Sequence, residues 1–216
     1  MVAKQNKSQF LPRKRPYMQR QLDQVETRQR FLIVCEGKKT EPKYFERFRV
    51  PGLVVRIEGI GMNTLRLVDE AMKTRNDGEY DQVWCVFDKD DFPIDHFENA
   101  IKRAIDNGMH VAYSNQAFEL WYVLHFEYLN SAIDRRAYME KLSFHLGFEY
   151  KKNDPNIYEV LKCKIETAIR NAERLMQEYQ PPHPGIDDPS TTVYQLVKAL
   201  QEQAKPLSRT LKGEIF

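Results

Sequence analysis

Four short apolar runs set the rhythm of this chain. Arg30–Cys35 is continuous apolar sequence after its first residue and stops at Glu36-Gly37. Leu53–Ile60, Val83–Phe87 and Met109–Tyr113 follow at wide intervals. Runs without polar alternation predict strands covered on both faces, as in parallel sheets. Helical spacing fills the gaps. Thr40-Glu41-Pro42 opens a helix with Thr40 as N-cap, Pro42 in the first turn and Tyr44, Phe45 and Phe48 as its stripe. Leu65, Val68 and Met72 mark a second helix, ending near Asn76-Asp77-Gly78. Ile94–Asn107 is a third, with Phe97, Ile101 and Ile105 at core spacing and Gly108 closing it. Phe118–Tyr128 is a fourth, apolar on nearly every side. The βαβαβαβα order predicts an α/β fold with a mostly parallel four-stranded sheet flanked by helices and right-handed crossovers.

After residue 130 the strand pattern ends. Arg135–Leu146, Pro155–Gln177 and Thr191–Lys205 read as helices, with a Pro-rich loop over Gln180–Pro189. Three parts are therefore expected: a flexible basic arm over 1–28, an α/β domain over 29–130, and a helical C-terminal extension over 131–216 packed on it. Charge supports the first boundary. Residues 1–30 carry a net charge of +6, Arg13-Lys14-Arg15 among them, and the rest carries −4. A basic tail on a mildly acidic domain points to a polyanionic partner or a solubilising role.

Composition removes several classes. With 42% hydrophobic and 30% charged residues the chain has material for a core. Mean hydropathy is −0.64 and no apolar run approaches a membrane span, so a soluble cytoplasmic protein is expected. Cys35, Cys85 and Cys163 lie far apart without a C-x-x-C, which argues against a disulfide framework or zinc site. Cys35 and Cys85 read as small buried hydrophobes.

The chemistry gathers at strand ends. In open α/β sheets ligands bind beyond the carboxyl ends of the strands. The first run ends in Glu36-Gly37-Lys38-Lys39, the third in Asp88-Lys89-Asp90-Asp91, the fourth in Ser114-Asn115, five residues before Glu119. Asp88 and Asp90, two apart, face one side if the strand continues. Converging carboxylates repel unless they share a proton or bind a cation, and hard oxygen donors without Cys or His select Mg²⁺ or Mn²⁺. A solvated acidic turn is the plainer reading of Asp88-x-Asp90. Glu119 sits among Phe118, Leu120 and Trp121, where an ionised carboxylate needs a metal or a basic partner. His125 reads as a structural hydrogen-bonder. Gly37-Lys38-Lys39-Thr40 is not a P-loop, since the required glycine five residues earlier is Leu32. Lys38 and Lys39 can still meet a phosphate near the helix start.

Five stretches resemble RloB-like proteins: Phe31–Phe45 around Cys35-Glu36-Gly37-Lys38-Lys39-Thr40-Glu41-Pro42, then Val86–Asp90, Ser114–Trp121, Lys152–Pro155 and Asp188–Tyr194. The resemblance spans about residues 30–200. It implies a TOPRIM-like fold, shared with topoisomerases, primases and OLD-family nucleases. In that fold a Glu after the first strand and an Asp-x-Asp after a later one hold magnesium; by position these are Glu36, Asp88 and Asp90. Further ligands of OLD-like nucleases match Ser114 and Glu119. The family is associated with restriction loci and phage defence, often beside an ATPase. The expectation is a Mg²⁺- or Mn²⁺-dependent nuclease with Glu36, Asp88, Asp90 and Glu119 at the metals and Lys38 or Lys39 neutralising charge. Arg13, Lys14 and Arg15 join Lys38 and Lys39 on DNA or RNA, tRNA included. An ATPase partner and a homo-oligomer belong to the same expectation; a membrane does not. The alternative is a non-catalytic subunit that binds nucleic acid or an ATPase. A topoisomerase or primase ranks below both, because neither a tyrosine module nor a primase zinc module is recognisable.

Overall fold

A computed structural model describes residues 29–48, 50, 53–57, 64–89, 93–152 and 154–204. The expected arm, with Arg13, Lys14 and Arg15, and Asp90 of the Asp-x-Asp pair lie outside the described residues. Strands β1 (Phe31–Cys35), β2 (Leu53–Ile57), β3 (Gln82–Asp88), β4 (His110–Asn115) and β5 (Ser190–Thr191) form one sheet in the order β2-β1-β3-β4-β5. All pairs are parallel except β4 with β5. Helices α1 (Thr40–Phe45), α2 (Thr64–Asn76), α3 (Ile94–Asp106), α4 (Glu119–Val123), α5 (Arg135–Leu146), α6 (Ile157–Leu161), α7 (Ile165–Gln177) and α8 (Val193–Ala204) complete it. The architecture is α/β and consistent with a TOPRIM-like fold.

The pleat divides the core in two. Phe31, Ile33 and Cys35 point into one cluster with Tyr44 and Phe45 of α1, Trp121 of α4 and the buried faces of α5 to α8. Leu32 and Val34 point the other way, onto Leu67 and Val68 of α2 and Phe97 and Ala100 of α3. β1 is fully buried on both faces, as its unbroken apolar run requires. The helices after residue 130 thus share one core with β1, β3 and β4. Among the described residues no helix is long and apolar enough to cross a membrane.

The structure departs from the sequence reading at several points. A fifth strand exists. Ser190 and Thr191 are polar and lie just one residue before α8, so hydrophobicity does not mark them; their backbone pairs with Asn115 and Ser114 instead. The fourth helix is only five residues long. The Leu124 carbonyl, which a longer helix would use internally, accepts from Asn171 Nδ2 of α7 at 2.8 Å. Thr40 is the first helical residue rather than the cap; Lys39 takes that place, without a side-chain capping bond. Ile105 is 60% exposed, and α3 buries Phe97, Ala100 and Ala104 instead. The long helix expected over Pro155–Gln177 starts at Ile157 and is interrupted by a 3₁₀ turn at Lys162–Lys164. The Pro155 carbonyl is taken by Arg47 Nη2 at 3.1 Å.

Candidate metal and phosphate site

The strand order 2-1-3-4 reverses direction between β1 and β3, and α1 and α2 leave on opposite faces of the sheet. Such a switch point opens a crevice at the carboxyl ends of the two strands. Glu36 and Asp88 are the residues standing there. Glu36 prolongs the ladder by one bond, its N–H donating to Val86 O at 2.9 Å. Its half-buried carboxyl is pushed up to about 7, by burial first and then by the Glu41 charge. The Asp88 N–H and the Arg135 charge oppose that rise. Glu36 Oε2 is buried and has no hydrogen-bond partner among the described residues.

Asp88 accepts from Phe118 N–H at 3.2 Å through Oδ2. Burial, then Glu41, then Glu119 push its proton affinity well above the usual carboxylate range. Ser114 lies opposite Asp88 in the β3–β4 register. Its buried hydroxyl is 3.1 Å from Thr191 Oγ1, so β5 fixes it from behind. Glu119, 3% exposed, opens α4. Its Oε1 accepts from the Tyr150 hydroxyl at 3.4 Å and pairs with Lys152 Nζ at 3.4 Å. Of the two roles set out for Glu119, the ion pair is present, with a lysine that is itself 49% exposed. His125 is a structural hydrogen-bonder: Nδ1–H donates to Trp121 O at 2.8 Å, and burial pushes the ring down to about 4. Lys38 and Lys39 are exposed on the loop after β1.

Two site residues escape the sequence reading. Glu41 looks like an ordinary first-turn acid, yet it is 7% exposed and its proton affinity is raised by burial and then Glu119, against Lys152. Its carboxylate lies on Gly37; a Cβ there would stand 2.0 Å from Glu41 Oε2, so any other residue at 37 would push the Glu41 side chain aside. The available signal was its position five residues after the strand-end Glu36. Arg135, the first residue of α5, donates from Nη2 to Gln116 O at 3.0 Å and sends its charge toward Glu36 and Asp88. No local motif marks it.

Glu36, Glu41 and Asp88 therefore hold their protons more tightly than free carboxyls at one crevice, with the Glu119 carboxylate beside them. Among the described residues no three His, Cys, Asp or Glu side chains stand in a metal-ligating arrangement. The donor chemistry fits a hard divalent cation nonetheless: all oxygen, mutually repelling, with one buried oxygen of Glu36 left unpaired.

The Glu119→Gln variant tests the local balance. Gln retains an acceptor for Tyr150, and the half-exposed Lys152 turns to water. Metal-free stability should therefore change by no more than about 1 kcal/mol, after allowing for solvent screening of the pair. A thermal-melt loss of about 3–5 kcal/mol would make the pair structural and end the assignment of Glu119 to a metal.

A family model described as RloB-like protein matches residues 31–200. No curated protein and no solved structure matches the chain.

Proposed function

The chain belongs to the RloB-like protein family, and on that premise we propose that it is a metal-dependent nuclease of bacterial phage defence. It hydrolyses phosphodiester bonds of DNA or RNA and works with an ATPase partner. The supporting observation is the gathering of Glu36, Glu41 and Asp88, with raised proton affinities, beside Glu119 at the β1–β3 switch point. When bound, Mg²⁺ or Mn²⁺ supplies Lewis-acid polarisation of the phosphate and an activated water. Glu36, Asp88 and Glu119 would hold it, joined by Asp90 in the resemblance. Ser114 stands beside Asp88 as a neutral hydroxyl held by Thr191. Lys38 or Lys39 neutralises charge that develops on the phosphate oxygens. Arg135, tied to Gln116 O, orients the Glu36–Asp88 side.

The Lys152–Glu119 ion pair favours a second reading, a non-catalytic binding subunit whose acids are neutralised in place. One experiment separates the two. The purified chain, with and without a neighbouring ATPase, is incubated with DNA and with total RNA in Mg²⁺ or Mn²⁺. Metal-dependent cleavage supports the nuclease; its absence in every combination supports the binding subunit.

Proton linkage gives an independent check. A carboxyl whose folded pKa lies above its unfolded one holds its proton more tightly when folded. The stability contributed by Glu36 is therefore full below about 4.5 and is lost as pH rises to about 7. In metal-free protein, the Tm of wild type relative to Glu36→Gln should fall across that window, and Mg²⁺ should restore it only in wild type. A Tm difference independent of pH would remove Glu36 from the coupled cluster.

A further inference from the structure

The acids form the floor of the crevice; lysines form its edge. Lys38 and Lys39 follow β1, Lys43 lies in α1, and Lys151 and Lys152 come from the loop after α5. All five are exposed. Both segments are fastened to the acidic floor. Gly37 rests against the Glu41 carboxylate, and Lys152 Nζ stands 3.4 Å from Glu119 Oε1. They also adjoin each other: Lys43, Tyr150 and Asp154 line one narrow cleft, and Arg47 Nη2 donates to Pro155 O at 3.1 Å. Two basic segments far apart in sequence therefore make one edge beside the carboxylates. Acids stand among these lysines: Lys152 pairs with Glu119, and Asp154 lines the cleft with Lys43. Lys151 pairs with Glu149 at 3.6 Å, but both side chains are at least 75% exposed, where such a pair contributes little.

We propose that this edge, Lys38, Lys39 and Lys43 with Lys151 and Lys152, is the nucleic-acid interface of the folded domain. One of Lys38 and Lys39 faces the scissile phosphate, and the other lysines grip the phosphates that flank it. The chemistry requires such an edge, because a floor of four carboxylates repels a phosphodiester chain unless fixed cations hold the neighbouring phosphates. Placing two lysine-bearing segments at one crevice lets successive phosphates of one strand be held without reading bases. The grip is thus sequence-independent and salt-sensitive. This inference deepens the proposed function and rests on it for the identity of the partner.

The test measures binding apart from cleavage. Full-length wild type and a Lys43→Glu/Lys151→Glu variant are titrated into a short fluorescein-labelled single-stranded oligonucleotide, DNA and RNA in turn. Anisotropy is read in EDTA between about 50 and 200 mM salt. The variant should bind about tenfold or more weakly at the lowest salt. Its plot of log affinity against log salt should be shallower by about 1.4, the value for two lost single-strand contacts. If charge reversal lowers the Tm, Lys43→Gln/Lys151→Gln should give the same change in slope. Unchanged affinity and slope, or no binding by wild type at the lowest salt, overturns the interface. A wild type that binds with this lysine-dependent slope but cleaves nothing in Mg²⁺ or Mn²⁺ supports the interface and removes the nuclease. Cleavage and binding both unaffected in the variant do the reverse.

Discussion

Asp88→Asn is expected to reduce metal-dependent cleavage by about a thousandfold, the upper range for losing one preorganised electrostatic group. It should leave oligonucleotide binding and folding in place. Asp88 ends the central strand β3, and Phe118 N–H, at the entry to α4, holds its Oδ2 at 3.2 Å. Asn retains an oxygen for that N–H and nearly the same volume, so the loop needs no new partner. What disappears is one negative charge among Glu36, Glu41 and Glu119. Because burial, Glu41 and Glu119 already oppose ionisation of Asp88, metal-free Asp88→Asn should be no less stable than wild type. The measurements are single-turnover cleavage in Mg²⁺ and a thermal melt in EDTA. Undiminished cleavage would remove Asp88 from the chemistry, and a large drop in Tm would make it a structural acid.

The largest stability effect should come from Trp121→Ala. Helix α4 is short, but each of its five residues is buried and Trp121 is 0% exposed. The indole meets His125 edge-on with centroids 4.9 Å apart and belongs to the cluster that joins the sheet to α5, α7 and α8. Truncation leaves a void that four packed elements cannot all close, at a cost of about 3–5 kcal/mol. Urea denaturation followed by far-UV circular dichroism would read it. A loss below about 1 kcal/mol would show that the core closes around the vacancy and that α4 is not anchored by this ring. Glu119 lies two residues before Trp121, so cleavage should fall together with stability here, unlike in Asp88→Asn.

The central sheet is readable from the chain because its strands are buried on both faces. Phe31–Cys35 carries no alternation to confuse with a surface strand, and its end delivers Glu36 to the same edge as Asp88. Burial follows for Cys35 and Cys85 on the same ground, and the thiol of Cys85 is pushed up to about 12 by it. What fails to read are features held by distant partners. Ser190–Thr191 is a strand only because β4 offers it a backbone edge. Helix α4 stops where Asn171, 47 residues away, takes a carbonyl. Glu41 becomes a site acid because Gly37 leaves space for its carboxylate, and Arg135 because α5 brings its first turn to the crevice. Hydrophobic periodicity is local, and these placements are not.

The antiparallel pairing of β4 with β5 also sets an order in time. The wall behind Ser114 comes from Thr191, 77 residues later in the chain. Ribosomes add about 5–20 residues per second, so roughly 4–15 s separate the synthesis of the two. During that interval a nascent chain can pair β1, β3 and β4, but it has nothing to hold the Ser114 hydroxyl or cover the free edge of β4. A chain released before Thr191 would carry most of the acids and an open strand edge, a state prone to pairing with other chains. Completion of the crevice is thereby coupled to translation through the last strand.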